Sequence, residues 1–201
     1  MQGGTRTQTV RFAGFGGQGI VKAGEIFGAA AVLDGKHALQ NQSYGSSARG
    51  GLCTADVVVS DGEIHEIEPD AFDVLVLLSQ DSCRAFSSHV RPGGVIIFEE
   101  DLVQLPSQLP QARRFPLPAT RIASQELRRR IVTNMVVLGC AAAVSRLLGR
   151  TAIEETIRHH VPKGTEELNL RAFAEGWRRG EVQLVSPGGG EGVGEGAKPR
   201  E

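Results

Sequence analysis

The chain has 201 residues and a mass of 21.4 kDa, with 22 basic and 23 acidic side chains for a net charge of −1. A chain of this size buries about 70% of its unfolded surface, enough for one sizeable core. With 40% hydrophobic and 22% charged residues it is an ordinary globular sequence rather than a disordered one. The balanced charge and 5% aromatics give no electrostatic or stacking case for nucleic acid or an anionic membrane surface. The longest apolar run, Met135 to Val144, is about half the length of a membrane span. The polar start, Met1 to Thr9, has no apolar signal core, so a cytoplasmic location is expected. The three cysteines, Cys53, Cys83 and Cys140, are far apart and do not make a zinc or cluster set.

In chain order, residues 1–6 read as a loose lead-in, 7–185 as one domain, and 186–201 as a flexible Gly-rich tail. Thr7 to Ala13 reads as a first strand running into glycines. Gln18 to Leu33 carries apolar residues at helical spacing. Asp34-Gly35 makes a turn, Lys36 to Gln40 a short second strand, and 41–51 a loop by composition. Leu52 to Ser60 is β-rich, with Asp61-Gly62 as a hairpin-type turn after it. Phe72 to Ser79 is an apolar run suited to a central parallel strand. A helix over Gln80 to Val90, a turn at Pro92-Gly93-Gly94 and a strand over Val95 to Phe98 follow. One more short strand is expected near Arg114-Phe115.

The last third is helical: Ala119 to Arg129, then Ile131 to Leu148, apolar nearly all round and therefore buried. Thr151 with Glu154 matches a capping box opening a helix that ends near His160, and Thr165 caps a final helix to about Arg179. The alternation predicts an α/β fold, a Rossmann-like three-layer open sheet, mostly parallel, with a helical C-terminal third.

Two loops carry chemistry. Gly14-Phe15-Gly16-Gly17-Gln18-Gly19 fits G-x-G-x-x-G between a strand and a helix, where glycines permit a tight turn and free amides hold an anion. Nucleotide binding, a purely structural turn, and a loop at an active-site or subunit boundary all remain open. The nicotinamide reading wants a carboxylate at the end of strand 2. Asp34 lies on the wrong end of it, and Gln40-Asn41 carry none. The second loop, Ser43-Tyr44-Gly45-Ser46-Ser47-Ala48-Arg49-Gly50-Gly51, leaves the carboxyl end of strand 2, the edge where open α/β sheets bind ligands. It holds the one Tyr, and Arg49, whose forked donors suit carboxylate or phosphate.

The remaining candidates are weaker. The five histidines have no metal-ligand spacing, and His159-His160 suits a helix C-terminus. Glu99-Glu100-Asp101 reads as a solvated acidic turn before it reads as a metal site. Asn134, on an apolar helix, needs a hydrogen-bond partner from a neighbouring loop or chain.

Together the motifs G-F-G-G-Q-G at 14–19, A-G-E-I at 23–26, Q-S-Y-G at 42–45 and A-R-G-G at 48–51 resemble the gamma subunit of 2-oxoacid:ferredoxin oxidoreductases. Arg130-Ile131-Val132-x-Asn134-Met135-Val136 with Leu138-Gly139, and Glu167 to Phe173, are similar to that family's C-terminal half, so the resemblance spans about 9–180. It implies a subunit, inactive alone, of an enzyme that decarboxylates a 2-oxoacid with coenzyme A and sends two electrons to ferredoxin. It implies thiamine diphosphate with Mg between alpha and beta subunits, and iron–sulfur clusters on an iron–sulfur subunit or ferredoxin. The motifs Q-S-Y-G and A-R-G-G are closest to the 2-oxoglutarate and branched-chain types, of which 2-oxoglutarate is favoured. On this reading no residue of the chain is catalytic. Gly14, Gly16, Gly17, Gln18, Gly19, Ser43, Tyr44, Gly45, Arg49, Gly50 and Gly51 form a surface facing the thiamine-bearing chains, with Arg49 offered to an anionic ligand. The alternative is a free-standing enzyme binding NAD(P) or a flavin at the glycine loop.

Overall fold

The computed structural model describes residues 6–45 and 51–185; the expected tail, most of the lead-in, Arg49 and Gly50 lie outside the described residues. The chain runs β1 (Thr7–Phe15), α1 (Ile20–Leu33), β2 (His37–Tyr44), β3 (Leu52–Ser60), β4 (Phe72–Leu77), α2 (Gln80–Phe86), β5 (Val90–Glu99) and β6 (Arg113–Leu117). It continues through α3 (Ala119–Arg121), a π-helical turn (Ile122–Glu126), a 3-10 turn (Arg130–Val132), α4 (Thr133–Ser145), α5 (Arg150–His160) and α6 (Glu166–Val185). The six strands form one sheet in the order β2-β3-β1-β4-β5-β6.

Period-2 alternation sorts the sheet's side chains between two cores. From β1, Val10 and Phe12 enter the larger one, where Phe12 meets Phe27 of α1 edge to face at 6.0 Å. Val74 and Val76 of β4 join them, while Leu75 and Leu77 enter the smaller core with Ala13, Cys83 of α2 and Ile96. That two-sided burial explains why β4 reads as an unbroken apolar run. Helices α1, α4, α5 and α6 cover the larger face and α2 the other, so the three-layer α/β expectation is borne out.

The sheet is mostly parallel, as expected, with one antiparallel strand. β1, β4, β5 and β6 pair in parallel, but β3 lies antiparallel between β1 and β2. Only residues 45–51 join β2 to β3, far too few for a crossover, so the pair must be a hairpin. Residues 41–44, read as loop from their polar composition, are strand, because Asn41 to Tyr44 pair with Asp56 to Cys53. Pairing likewise carries β1 past Ala13 to Phe15, opposite Leu52. Asp61-Gly62 does not turn into a hairpin; β3 and β4 are separated by β1, and Asp61 instead pairs with Lys36 at 2.6 Å.

Several helix ends also differ. The helix after Ser79 stops at Phe86, and a 3-10 turn leads straight into β5, which runs through the expected turn at 92–94 with Gly93 at φ 81°. The expected helix over 119–129 breaks into α3 and the π-helical turn, and Arg128 adopts φ 56° before α4 begins at Thr133. A non-glycine residue there costs roughly 1–2 kcal/mol. The Thr151–Glu154 capping box is not made: α5 starts at Arg150, Glu154 pairs with Arg150 at 2.7 Å, and Asp34 Oδ2 accepts from Gly149 N at 2.9 Å. Thr165 precedes α6 as expected, its carbonyl accepting from Asn169 N at 3.0 Å, and α6 runs on to Val185.

The cysteines are buried, and burial raises all three thiols, that of Cys140 to about 12, as suits unreactive packing groups. No helix among the described residues is long and apolar enough to cross a membrane.

Candidate functional site

The glycine turn and the hairpin end meet at one edge. β1 delivers the turn at its carboxyl end, and β3 begins beside it because Phe15 pairs with Leu52. Gly16 N donates to Gly51 O at 3.1 Å, and Gly45 N donates to Leu52 O at 2.6 Å. The two predicted loops thus share one surface.

The nine described members of the predicted site divide by environment. Gly14 is buried, and a Cβ there would collide with Gln18 Oε1 and come within 3.0 Å of Ile20 Cδ1. Gly19 caps α1 at φ 75°, and a Cβ would reach Asn134 Nδ2 at 2.5 Å. These two glycines serve close packing. Gly16 and Gly17 are exposed, and nothing lies within 4 Å of a Cβ on Gly17, so its glycine answers to φ 91° alone. Ser43 and Gly45 are exposed, Gly51 is half-buried, and Tyr44 presents 63% of its surface.

Gln18 does what its place in a glycine motif did not announce. Its Oε1 accepts from Phe15 N at 2.6 Å, and its Nε2 donates to Leu78 O at 3.2 Å, just past β4. The strand order reverses between β1 and β4, the crevice where a Rossmann-type fold lays its dinucleotide. Here that crevice is bridged by Gln18. Asn134 Nδ2 reaches Gly19 O at 3.5 Å, which supplies the neighbouring-loop partner expected for it. Asp34, the residue at the right count for a ribose carboxylate, is held at the opposite end of α1, against α5. The nucleotide alternative therefore lacks both its crevice and its carboxylate.

Beside the hairpin, a cleft of about 460 Å³ opens on the α2 side of the sheet, lined by Arg11, Asn41, Ser43, Asp56, Glu68 and Asp70 among others. Arg11 is not free to recruit a ligand. It forks onto Asp56 at 2.7 and 2.6 Å and stacks over Phe72 and Phe86 at 4.2 and 4.6 Å.

The acidic run after β5 is not a solvated turn throughout. Glu100 and Asp101 both pair with Arg121 at 3.1 Å, but Glu99 is buried, its Oε2 accepting from Thr120 N and Oγ1 at 2.9 Å each. No group of metal-ligating side chains occurs among the described residues. Burial pushes the Glu99 carboxyl up, more than the Thr120 bonds lower it. The native state then holds the proton more tightly than the unfolded chain, so stability falls as pH rises from the ordinary carboxylate range through the raised value. Glu99→Gln is expected to flatten that slope, read from urea unfolding at about pH 5 and about pH 8. An unchanged slope would show that Glu99 ionises as freely in the fold as outside it.

A Rossmann-like sheet whose switch-point crevice is bridged from within defines an α/β domain that lacks the open crevice of a dinucleotide site. Residues 9–179 match the Pyruvate ferredoxin/flavodoxin oxidoreductase family, and the chain belongs to it. It is 43% identical to the 2-oxoglutarate synthase subunit KorC of Methanocaldococcus jannaschii, over 84% of this chain and 91% of that one. It superposes with TM-score 0.78 and 35% identity on the keto/oxoacid ferredoxin oxidoreductase gamma subunit of Geobacter sulfurreducens, covering 88% and 98% of the two chains. The fold is also shared, at TM-score 0.80 and 21% identity over 88% of this chain and 31% of that one, with the 2-oxoglutarate:ferredoxin oxidoreductase of Magnetococcus marinus. The resemblance read in the two loops is thereby borne out.

Proposed function

We propose that this chain is the gamma subunit of a cytoplasmic 2-oxoglutarate:ferredoxin oxidoreductase. The carrying observation is the surface where Gly16 and Gly17 meet Gly51 beside Tyr44 and Gly45, with the crevice behind it bridged by Gln18. The KorC relative is a 2-oxoglutarate synthase subunit, and the Magnetococcus enzyme was solved with 2-oxoglutarate, coenzyme A and succinyl-CoA, which supports this substrate pair. In the reaction the bond between the carboxylate and the oxo carbon of 2-oxoglutarate breaks to release CO2. The acyl group passes to the sulfur of coenzyme A, whose thiol proton is released, and two electrons go to ferredoxin.

This chain's residues do not fit the redox groups. Its cysteines are buried and scattered and offer no cluster set; on this reading thiamine diphosphate, Mg and iron–sulfur clusters sit on alpha, beta and iron–sulfur partners. What the chain contributes is position: a rigid glycine turn and a hairpin whose Arg49 offers a forked cation to coenzyme A or oxoacid.

Anaerobic purification of the tagged chain from its native host tests the reading. Larger chains, thiamine diphosphate and iron are expected to co-purify. Dye reduction should require both coenzyme A and an oxoacid, with 2-oxoglutarate preferred over pyruvate and 2-oxoisovalerate. Recovery of the chain alone, binding NADH or a flavin, would overturn it.

A further inference from the structure

Between the π-helical turn and α4 the chain exposes three consecutive arginines, Arg128, Arg129 and Arg130, followed by Ile131, which is 85% exposed. None of the three arginines makes an ion pair among the described residues. Their nearest acidic neighbour in sequence, Glu126, is held by Arg179 at 2.9 Å, and Arg121 is held by Glu100 and Asp101. The backbone is turned at Arg128, whose positive φ ends the preceding helix and starts the exposed run.

Ile131 stands at a cavity of about 190 Å³ whose walls include Met135, Pro162 and Leu168, with Lys22 and Asn134 also lining it. Asn134 is the residue that reaches Gly19 O, so this patch continues the surface of the glycine turn. An isoleucine held almost wholly in water, an apolar cavity beside it and a row of unpaired arginines have the make-up of a protein interface: an apolar centre with an Arg-rich rim. A phosphate-bearing ligand would use the arginines and leave Ile131 and the cavity without a partner.

We propose that Arg128 to Ile131, with the cavity beside them, dock an acidic segment of another subunit. An apolar side chain of that segment fills the cavity against Ile131, and its carboxylates pair with the arginines. The inference rests on the subunit reading above and says which side of this chain the assembly grips.

The test uses the assembled enzyme. The labelled chain is titrated into the remaining subunits, and its dissociation constant is measured against salt. Ile131→Asp, and a triple Arg→Glu change at 128–130, are each expected to weaken assembly about 10–100-fold. The triple change should also flatten the salt dependence, and a triple Arg→Lys change should restore most of the affinity. All four side chains are exposed, so the isolated variants should melt with the wild type, which separates lost docking from lost folding. Wild-type assembly by both variants overturns the docking surface and leaves the subunit reading standing. Unchanged assembly with a raised KM for coenzyme A overturns it in favour of a phosphate site. A wild-type chain that does not associate with thiamine-bearing subunits overturns both.

Discussion

Replacing Gly176 with alanine is expected to lower stability by about 3 kcal/mol. At this chain length that is a fall in Tm of about 6–12 °C. Helices α4 and α6 make the most extensive helix–helix contact of the fold, and they do so backbone to backbone. A methyl on Gly176 would collide with the carbonyl of Val136, one on Gly139 with the carbonyl of Phe173, and one on Gly180 would stand 3.0 Å from Ala143 Cβ. Backbone cannot rotate away as a side chain would, so the helices must separate and open the larger core. Glycine inside a helix is less favourable than alanine by about 1 kcal/mol, so these positions hold glycine for the approach and not for the helix. Gly28 of α1 provides the contrast: a Cβ there meets Val57 at an ordinary 3.6 Å. Gly28→Ala is therefore expected to leave Tm unchanged or raise it slightly. Thermal unfolding followed by circular dichroism checks both. A Gly176→Ala protein that melts with the wild type would mean the two helices re-pack without strain.

Arg49→Ala is expected to raise the apparent KM for one anionic reactant of the assembled enzyme by about 10–100-fold, the scale of one hydrogen-bonded charge. The other KM and kcat should change little, because an arginine holding a phosphate or distal carboxylate binds ground and transition states alike. Arg49 lies two residues before Gly51 in sequence, and the Gly51 carbonyl is held by Gly16 N of the glycine turn. Steady-state kinetics with coenzyme A and 2-oxoglutarate varied in turn identify the ligand. Both KM values unchanged, with weaker assembly, would make the loops an interface and remove Arg49 from ligand binding.

Much of the fold was legible in local pattern. The runs Thr7 to Ala13 and Phe72 to Ser79 show their strands because their faces are buried in sheet layers. The long apolar stretch in α4 shows that it is enclosed, and Asn134 inside it shows that a polar partner must come from elsewhere. Residues 41–44 were misread because an edge strand is half wet and therefore polar. Its strand character comes from hydrogen bonds to β3, which composition does not carry. The expected helix over 119–129 breaks, and nothing local announces the π-helical turn or the positive φ at Arg128; the helix expected from Ile131 starts at Thr133. The Thr151–Glu154 capping pattern was outcompeted by Asp34, 115 residues away from the amide it binds. Glu99 was misplaced for a related reason. Its neighbours Glu100 and Asp101 are solvated, and only the packing of α3 over β5 encloses it.

For the site, local pattern was enough to show which residue types are present and that two glycine-rich loops follow the first two strands. It also determined the family, because several ordered motifs at fixed separations are far more specific than one glycine turn. What Gln18 and Asp34 bond to depends on the packed fold. Gln18 looks like part of a phosphate cradle until β4 is placed beside β1 and Leu78 O comes within reach. Asp34 looks like a ribose ligand until α5 docks on the far end of α1. Local pattern reports φ, ψ and burial preference. A hydrogen bond between strands tens of residues apart depends on which strands the chain brings together, and strand order is a property of the whole packed sheet.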